Sequence, residues 1–385
     1  MADKIYYHFP TKIHLERDSI HKIGDFVKQY GDRVLLISVQ TDNTNQEGIN
    51  LIQSSLERVN CGCVIYDDIH VKPGIKEIDT AVHFARQSRA NLILAYGSRD
   101  SFYTARIVSS LMTNDVFTED ISFDTFPLRE DPLPIVTVPT GPCMGEEVSP
   151  MVSIYDSQMD FFFQKYDERL FSKLAFIDPH LSESMTDSEI ASSSIATVAS
   201  AVESVLSRNS NDITSGNGIH SVELVFKNLV SLVNEGGGPV ASYNISLASL
   251  MSGMSHSVTE LGASFSIASA ISYVTSINFY MAISIILPHV MEYNLTSSAG
   301  KFVNIAKAMD ENIHEMTVIE AAIKSIEGIR KMSLELKMPQ RLSEFNMEKT
   351  VIPDVAKLAV RSPFINNAPR EIDAREVEAI LTASY

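Results

Sequence analysis

The chain has 385 residues, of which 45% are hydrophobic and 21% charged. This composition is typical of a globular protein with a large core and excludes a disordered or fibrous chain, and the length favours two domains over one. The net charge of −17 argues against nucleic acid or an anionic membrane as the main partner.

Short apolar runs alternate with helical patterns in the first part of the chain. Strands are predicted at residues 33–39, 63–66, 91–96 and 134–138, and helices at 49–59 and 78–89. Strands that alternate with helices predict a parallel sheet covered on both faces, which is a Rossmann-like α/β domain. We expect three of these strands to end within about two to four residues of Val39, Tyr96 and Val138.

The pattern changes near residue 175, after which strand signals nearly vanish and long segments rich in Ala, Ser, Leu, Met and Glu follow. We therefore predict an α/β domain at residues 1–175 and an all-helical domain at 176–385. Residues 261–288 carry no formal charge and are long enough to span a bilayer. Their many serine side chains favour a buried helix pair instead.

Cysteine usage and the N-terminus indicate the compartment. Cys61, Cys63 and Cys143 make an odd count, with no disulfide framework or usual zinc spacing. The first residues show no basic region followed by an apolar run, so we read no signal peptide. We expect a cytoplasmic protein that binds neither nucleic acid nor a membrane.

Two turns follow predicted parallel strands, where ligands of open α/β sheets bind. The first holds Gly97 and Ser98, which could cradle a phosphate at a helix N-terminus. The second holds Thr140, Gly141 and Gly145. These five residues are the candidate cofactor-binding residues, although many structural turns have the same composition.

Candidate catalytic residues are fewer, because no metalloprotease, zinc or Walker motif occurs. His256 and Glu260 are spaced to share one helix face, which is more often a local polar contact than a catalytic pair. Cys143 lies in the second turn without an evident base, so an ordinary thiol is expected.

Several segments, in order over nearly the whole chain, resemble the iron-containing (group III) alcohol dehydrogenases of the dehydroquinate-synthase-like superfamily. The matching segments are 95–98 for Gly-Gly-Gly-Ser, 139–148 for PTTxGTGSEV, 176–179 for (I/V)DP, 287–294 for LLPHVxxYN and 339–342 for PxRL. The resemblance implies an N-terminal α/β domain, a C-terminal helical domain, and NAD(P) and a divalent metal in the cleft between them. It also implies a homodimer.

The chain departs from this family at the metal-binding positions. The positions of the four ligands in the family motifs are occupied by Ala196, Ser200, Phe265 and Phe279, and the further histidine proposed to act in catalysis is replaced by Ser269. Divalent metals of this class need carboxylate and imidazole donors. We therefore expect no iron or zinc, with the rings of the two phenylalanines filling the space.

The cofactor motifs depart as well. Ala95 and Tyr96 replace two of the three phosphate-loop glycines, Glu146 replaces a serine, and Val39 stands at the family's ribose-side aspartate. A carboxylate at Glu146 near a pyrophosphate would repel it. The expectation from these changes is weak affinity for NAD(P), and the choice between NAD and NADP stays open.

Three candidate functions are compatible with the sequence, which does not decide whether the chain is an enzyme. The first is a non-catalytic binding or assembly protein that has lost the metal and catalytic histidine positions. The second is an enzyme with a metal-independent mechanism, with His256, Glu260 and Ser269 as candidate catalytic residues. The third is a standard metal-dependent NAD(P) oxidoreductase. In each case a nucleotide or small molecule in the interdomain cleft is the expected ligand.

Overall fold

The computed structural model describes residues 5–39, 46–114, 128–156 and 161–385. These residues form two compact units. The N-terminal unit is Pro10–Met185. The helical unit is Thr186–Tyr385, joined by the N-terminal segment up to Phe9.

The N-terminal unit contains a sheet of six parallel strands in the order β1-β8-β5-β4-β2-β3. Its strands are β1 (Lys12–Leu15), β2 (Arg33–Ile37), β3 (Gly62–Tyr66), β4 (Leu92–Gly97), β5 (Ile135–Pro139) and β8 (Leu174–Ile177), and β6 (Met151–Asp156) and β7 (Phe161–Tyr166) form a separate antiparallel hairpin. The helices of this unit are α1 (Ile23–Val27), α2 (Gln46–Arg58), α3 (Ile75–Ser88) and α4 (Arg99–Thr113).

The predicted Rossmann-like sheet is confirmed. β2, β4 and β5 end at Ile37, Gly97 and Pro139, within two residues of the expected ends. Apart from Arg33 and Gly97, the residues of these strands are buried, as expected for parallel strands covered on both faces. Because all three strands run in the same direction, the turns that follow β4 and β5 lie at the same edge of the sheet.

Two strands of this sheet, β1 and β8, were not predicted from the sequence. β1 has only four residues, and β8 is an equally short run that pairs with both β1 and β5. The domain boundary that the sequence suggests, residue 175, falls inside β8. After β8, the carboxylate of Asp178 accepts hydrogen bonds from the backbone N–H groups of Asp18, Ser19 and Ile20.

The helical unit contains no strand among its described residues. Its helices are α5 (Asp187–Leu206), α6 (Asp212–Asn234), α7 (Gly238–Thr259), α8 (Ala263–Val274), α9 (Phe279–Asn294), α10 (Ala299–Ala308), α11 (Val318–Glu335), α12 (Ile352–Ala359) and α13 (Ala374–Ala383). α5 is buried on nearly every side because its residues are mostly small. The helical C-terminal domain is therefore confirmed.

The uncharged stretch at residues 261–288 forms α8 and most of α9, separated by a turn. Within the described ranges, no helix combines the length and apolar character needed to cross a membrane. Side-chain caps mark where several of the helices begin. Thr186, for example, accepts from the N–H of Glu189 while the Glu189 carboxylate accepts from the N–H of Thr186.

Candidate functional site

The turn after β4 depends on Gly97. Its φ of +133° is a left-handed conformation that favours glycine, and a Cβ there would lie 2.7 Å from Ser101 Oγ. Thr140 N donates to Gly97 O at 3.0 Å, which joins this turn to the one after β5. The structure thus brings Gly97, Ser98, Thr140 and Gly141 together at one sheet edge, all partly exposed. Their binding of a ligand stays a prediction.

The side chains that replace the family glycines do not cover this turn. Ala95 and Tyr96 are completely buried. The Tyr96 hydroxyl lies over Gly48 of α2, where an added Cβ would be only 2.0 Å from it. Tyr96 therefore packs between β4 and α2, away from the surface of the turn.

Glu146 does not face a phosphate either. Its side chain is completely buried, and Tyr103 Oη donates to Glu146 Oε1 at 2.7 Å. Burial raises the pKa of the Glu146 carboxyl to about 7, partly offset by the positive charge of Arg106. The expected repulsion of a pyrophosphate by Glu146 is therefore wrong, because the carboxyl points into the core.

The remaining residues of the second turn are buried. Met144 and Gly145 have φ of 66° and 84°, a conformation that glycine adopts without strain, and the binding of a ligand by Gly145 stays a prediction. Cys143 Sγ donates to Glu147 Oε2 at 3.0 Å, and burial raises the pKa of this thiol well above its ordinary value. Cys143 is an ordinary buried thiol, as predicted.

The four positions that the resemblance assigns to metal ligands lie in the core of the helical unit. Ala196 and Ser200 of α5 are completely buried, as is Phe265 of α8. The rings of Phe265 and Phe279 pack edge to face with centroids 5.4 Å apart, and Phe364 lies 6.0 Å from Phe265. We call these three rings the phenylalanine cluster.

These side chains do not fit a divalent metal. Ser200 has the single donor atom among the four, and its Oγ is already hydrogen-bonded to Ser252 Oγ and Thr197 O. Among the described residues, no group of three or more His, Cys, Asp or Glu could hold a metal ion. No catalytic step can therefore be derived through a metal at these positions.

The candidate catalytic residues are not assembled as the sequence suggests. α7 ends at Thr259, and Glu260 leaves the helix with φ 58° and ψ 175°, so it does not share a helix face with His256. The Glu260 carboxylate accepts from Asn367 Nδ2 at 3.1 Å. His256 is completely buried in α7, and Ser269 Oγ in α8 is buried without a hydrogen-bond partner among the described residues.

Glu203 is a buried carboxyl that sequence reasoning missed. It accepts from the backbone N–H groups of Gly262, at 2.9 Å, and Ser264, so it caps the N-terminus of α8. Gly262 permits this approach, since an added Cβ would lie 3.0 Å from Glu203 Oε1. The available signal was a glutamate in a helix of small residues, aligned with the last position of the family motif.

We expect the stability of the helical unit to fall between pH 4.5 and about 7. Burial raises the pKa of Glu203 from 4.5 to about 7, partly offset by the two backbone donors. Between these values the folded unit binds more protons than the unfolded chain, so its unfolding free energy decreases as pH rises. The expected decrease from this group is about 3 kcal/mol. Urea unfolding at pH 5 and pH 8 measures it.

The variant Glu203→Gln should lower stability at pH 5, because Gly262 N–H and Ser264 N–H donate to different carboxyl oxygens and the amide would turn its NH2 group toward one of these donors. It should also remove the part of the pH dependence that belongs to Glu203. Glu335→Gln, which changes an exposed carboxylate at the end of α11, is the control and should leave the pH dependence unchanged. An unchanged pH dependence in Glu203→Gln would refute this assignment.

Comparisons with known proteins match both parts of the chain to one family. Residues 10–179 match the iron-containing alcohol dehydrogenase model, and residues 190–385 match the C-terminal model of the same family. The 1,3-propanediol dehydrogenase of Klebsiella pneumoniae is 23% identical over 92% of each chain. The lactaldehyde reductase of Escherichia coli (strain K12) is 22% identical over 94% of each chain.

Solved structures agree on the fold. A 1,3-propanediol oxidoreductase superposes with a TM-score of 0.93 over the full length of both chains, at 22% identity. A sulfoacetaldehyde reductase from Bifidobacterium kashiwanohense, solved in complex with NAD+, superposes with a TM-score of 0.85 at 19% identity, covering 100% of this chain and 99% of that one.

These findings contradict the expectation of weak NAD(P) affinity without iron or zinc. The matched family is described as iron-containing, and NAD+ is bound in one of the similar structures. The burial of Tyr96 and Glu146 removes the two physical reasons given for weak binding. Weak binding is therefore no longer expected, and the misfit with a divalent metal concerns only the side chains of Ala196, Ser200, Phe265 and Phe279. The match of two family models over nearly the whole chain shows that this protein belongs to the iron-containing alcohol dehydrogenase family.

Proposed function

We propose that this chain binds a pyridine dinucleotide through the turns after β4 and β5 and does not interconvert alcohols and aldehydes. The observation that carries this proposal is the phenylalanine cluster. Two of its three rings, those of Phe265 and Phe279, stand where the family resemblance places metal-binding histidines, and Phe265 is completely buried.

The chemistry of alcohol oxidation explains why apolar side chains at these positions are incompatible with that reaction. Hydride transfer from an alcohol carbon requires a group that takes the hydroxyl proton and groups that stabilise the charge developing on oxygen. The side chains of Ala196, Phe265 and Phe279 have no polar atom. Ser200 Oγ is held by its two partners within the core. The matching positions therefore supply neither function.

The dinucleotide part rests on the N-terminal unit. Gly97 keeps the left-handed conformation of the turn, and Thr140 N binds its carbonyl oxygen. Ser98 precedes α4 without capping it through its side chain, so the first amides of a 15-residue helix can receive a phosphate. NAD+ is bound by the Bifidobacterium sulfoacetaldehyde reductase, which has the same fold.

The test is a turnover assay with the metals supplied. The full-length chain is incubated with Fe²⁺ or Zn²⁺, with NAD(H) or NADP(H), and with 1,3-propanediol or lactaldehyde. We expect no change in nicotinamide absorbance above the protein-free blank, while calorimetry shows dinucleotide binding. The Klebsiella pneumoniae 1,3-propanediol dehydrogenase, assayed in parallel, is the positive control.

Turnover at a rate comparable to that control would overturn the non-catalytic part of the proposal. A second candidate function, an NAD(P)-linked oxidoreductase that uses hydroxyl groups of the helical unit, is favoured by the buried Ser269 Oγ, which lacks a described partner. Loss of such turnover in Ser269→Ala, with Ser272→Ala unaffected, would establish that candidate.

A further inference from the structure

A small cavity lies inside the helical unit, between the ends of α5 and α9 and the start of α8. Its walls are mostly apolar and include Leu206, Leu261, Leu287, Val290 and Met291. The space that a water-sized molecule can occupy has a volume of about 20 Å³. Because one water needs roughly 10–15 Å³ of such space, the cavity is large enough for a single water molecule.

Asn294, the last residue of α9, lines this cavity with an unpaired acceptor. It is 2% exposed, and its Nδ2 donates to Val290 O at 3.0 Å. This bond fixes the orientation of the amide, because Nδ2 carries the only hydrogens that the side chain can donate. Asn294 Oδ1 has no hydrogen-bond partner among the described residues. A buried amide oxygen without a donor is unfavourable, so this atom requires a hydrogen-bond donor from within the cavity.

Glu203 lines the same cavity from the end of α5. Its two carboxyl oxygens accept from the backbone N–H groups of Gly262 and Ser264. Burial raises the pKa of this carboxyl to about 7, so at pH 5 it is mostly protonated and carries an O–H donor of its own. Among the residues that line the cavity, Glu203 has the only titratable side chain. The cavity therefore presents one carboxyl group and one amide oxygen within an apolar wall.

We propose that this cavity binds one water molecule, which bridges the Glu203 carboxyl and Asn294 Oδ1. The water accepts from the protonated carboxyl and donates to the amide oxygen, and when Glu203 is ionised it donates to both. A water with at least two polar partners is an ordinary part of a protein interior. The bridge connects α5 to α9 beside the start of α8, and it is independent of dinucleotide binding.

The experiment is a crystal structure of the full-length chain at pH 5, at a resolution that shows ordered water. We expect one density peak within about 3.2 Å of both Asn294 Oδ1 and a Glu203 carboxyl oxygen. The peak should be lost in Asn294→Leu, because leucine has a similar size and no acceptor. Asn234→Leu is the matched control, since Asn234 is also the last residue of a helix, α6, but is exposed, and there the peak should remain.

A measurement in solution complements the crystal structures. Oxygen-17 magnetic relaxation dispersion counts the waters that exchange slowly with bulk solvent, and Asn294→Leu should have one fewer than the unchanged chain and Asn234→Leu. If Asn294→Leu does not fold, the crystal structure of the unchanged chain decides alone. An empty cavity in that structure, a density too large for water, or a peak that persists in Asn294→Leu would each overturn the proposal.

Discussion

Replacement of Asp178 by alanine is expected to destabilise the N-terminal unit by about 4 kcal/mol. The Asp178 carboxylate accepts from the N–H groups of Asp18, Ser19 and Ile20 at 2.8, 2.8 and 2.9 Å, and from His180 N at 3.0 Å. Ser19 and Ile20 are buried, so alanine would leave their donors without partners and without water. Urea unfolding of the full chain, followed by circular dichroism, measures the loss.

Two variants make the Asp178 result specific. Asp178→Asn keeps one acceptor oxygen and should lose less stability than Asp178→Ala. Asp25→Ala removes an exposed carboxylate that lies 3.0 Å from Arg58, and a surface ion pair contributes at most about 1 kcal/mol. If Asp178→Ala costs no more than Asp25→Ala, the carboxylate does not organise this turn.

Replacement of Phe265 by alanine is expected to cost the helical unit about 3–5 kcal/mol. Phe265 is completely buried in α8, and its ring contacts those of Phe279 and Phe364. Alanine would remove the ring and leave a cavity, because a close-packed core collapses only in part. Chemical denaturation at a fixed pH measures the change.

The controls for Phe265 separate packing from chain-wide effects. Phe265→Leu keeps most of the apolar volume and should cost clearly less than Phe265→Ala. Val318→Ala changes a residue of α11 that is 57% exposed, so its effect should stay within about 0.5 kcal/mol. A loss below about 1 kcal/mol in Phe265→Ala would show that the cluster is not a packed core.

The sequence alone supported much of the fold. The buried apolar runs at residues 33–39, 91–96 and 134–138 are long enough to predict parallel strands, and their ends agree with β2, β4 and β5 within two residues. β1 and β8 were missed because each has only four residues. Such short runs become strands through pairing with each other, and no local pattern encodes that pairing.

The site was only partly predictable. The two turns and the residues at the family metal positions can be read from motif spacing. The directions in which the side chains of Tyr96 and Glu146 point cannot be read from the sequence. They depend on contacts between residues that are far apart in the chain: Tyr96 packs against Gly48, and Tyr103 donates a hydrogen bond to Glu146. For the same reason, the inference of weak NAD(P) binding from residue types alone was wrong.

By itself, the sequence determined four strands of the sheet in alternation with helices, the change to helix in the second half, the family, and the residue types at each motif, since these depend on local periodicity and spacing. Tertiary structure alone decided which polar groups are buried and what they meet. Glu203 became the cap of α8, and Glu260 left the helix face shared with His256. The tertiary structure also placed the backbone N–H of Lys72 and the side chain of Arg99 beside the carboxylate of Asp100. The physical reason is that desolvation and charge–charge interactions depend on distance in space, which separation along the chain does not specify.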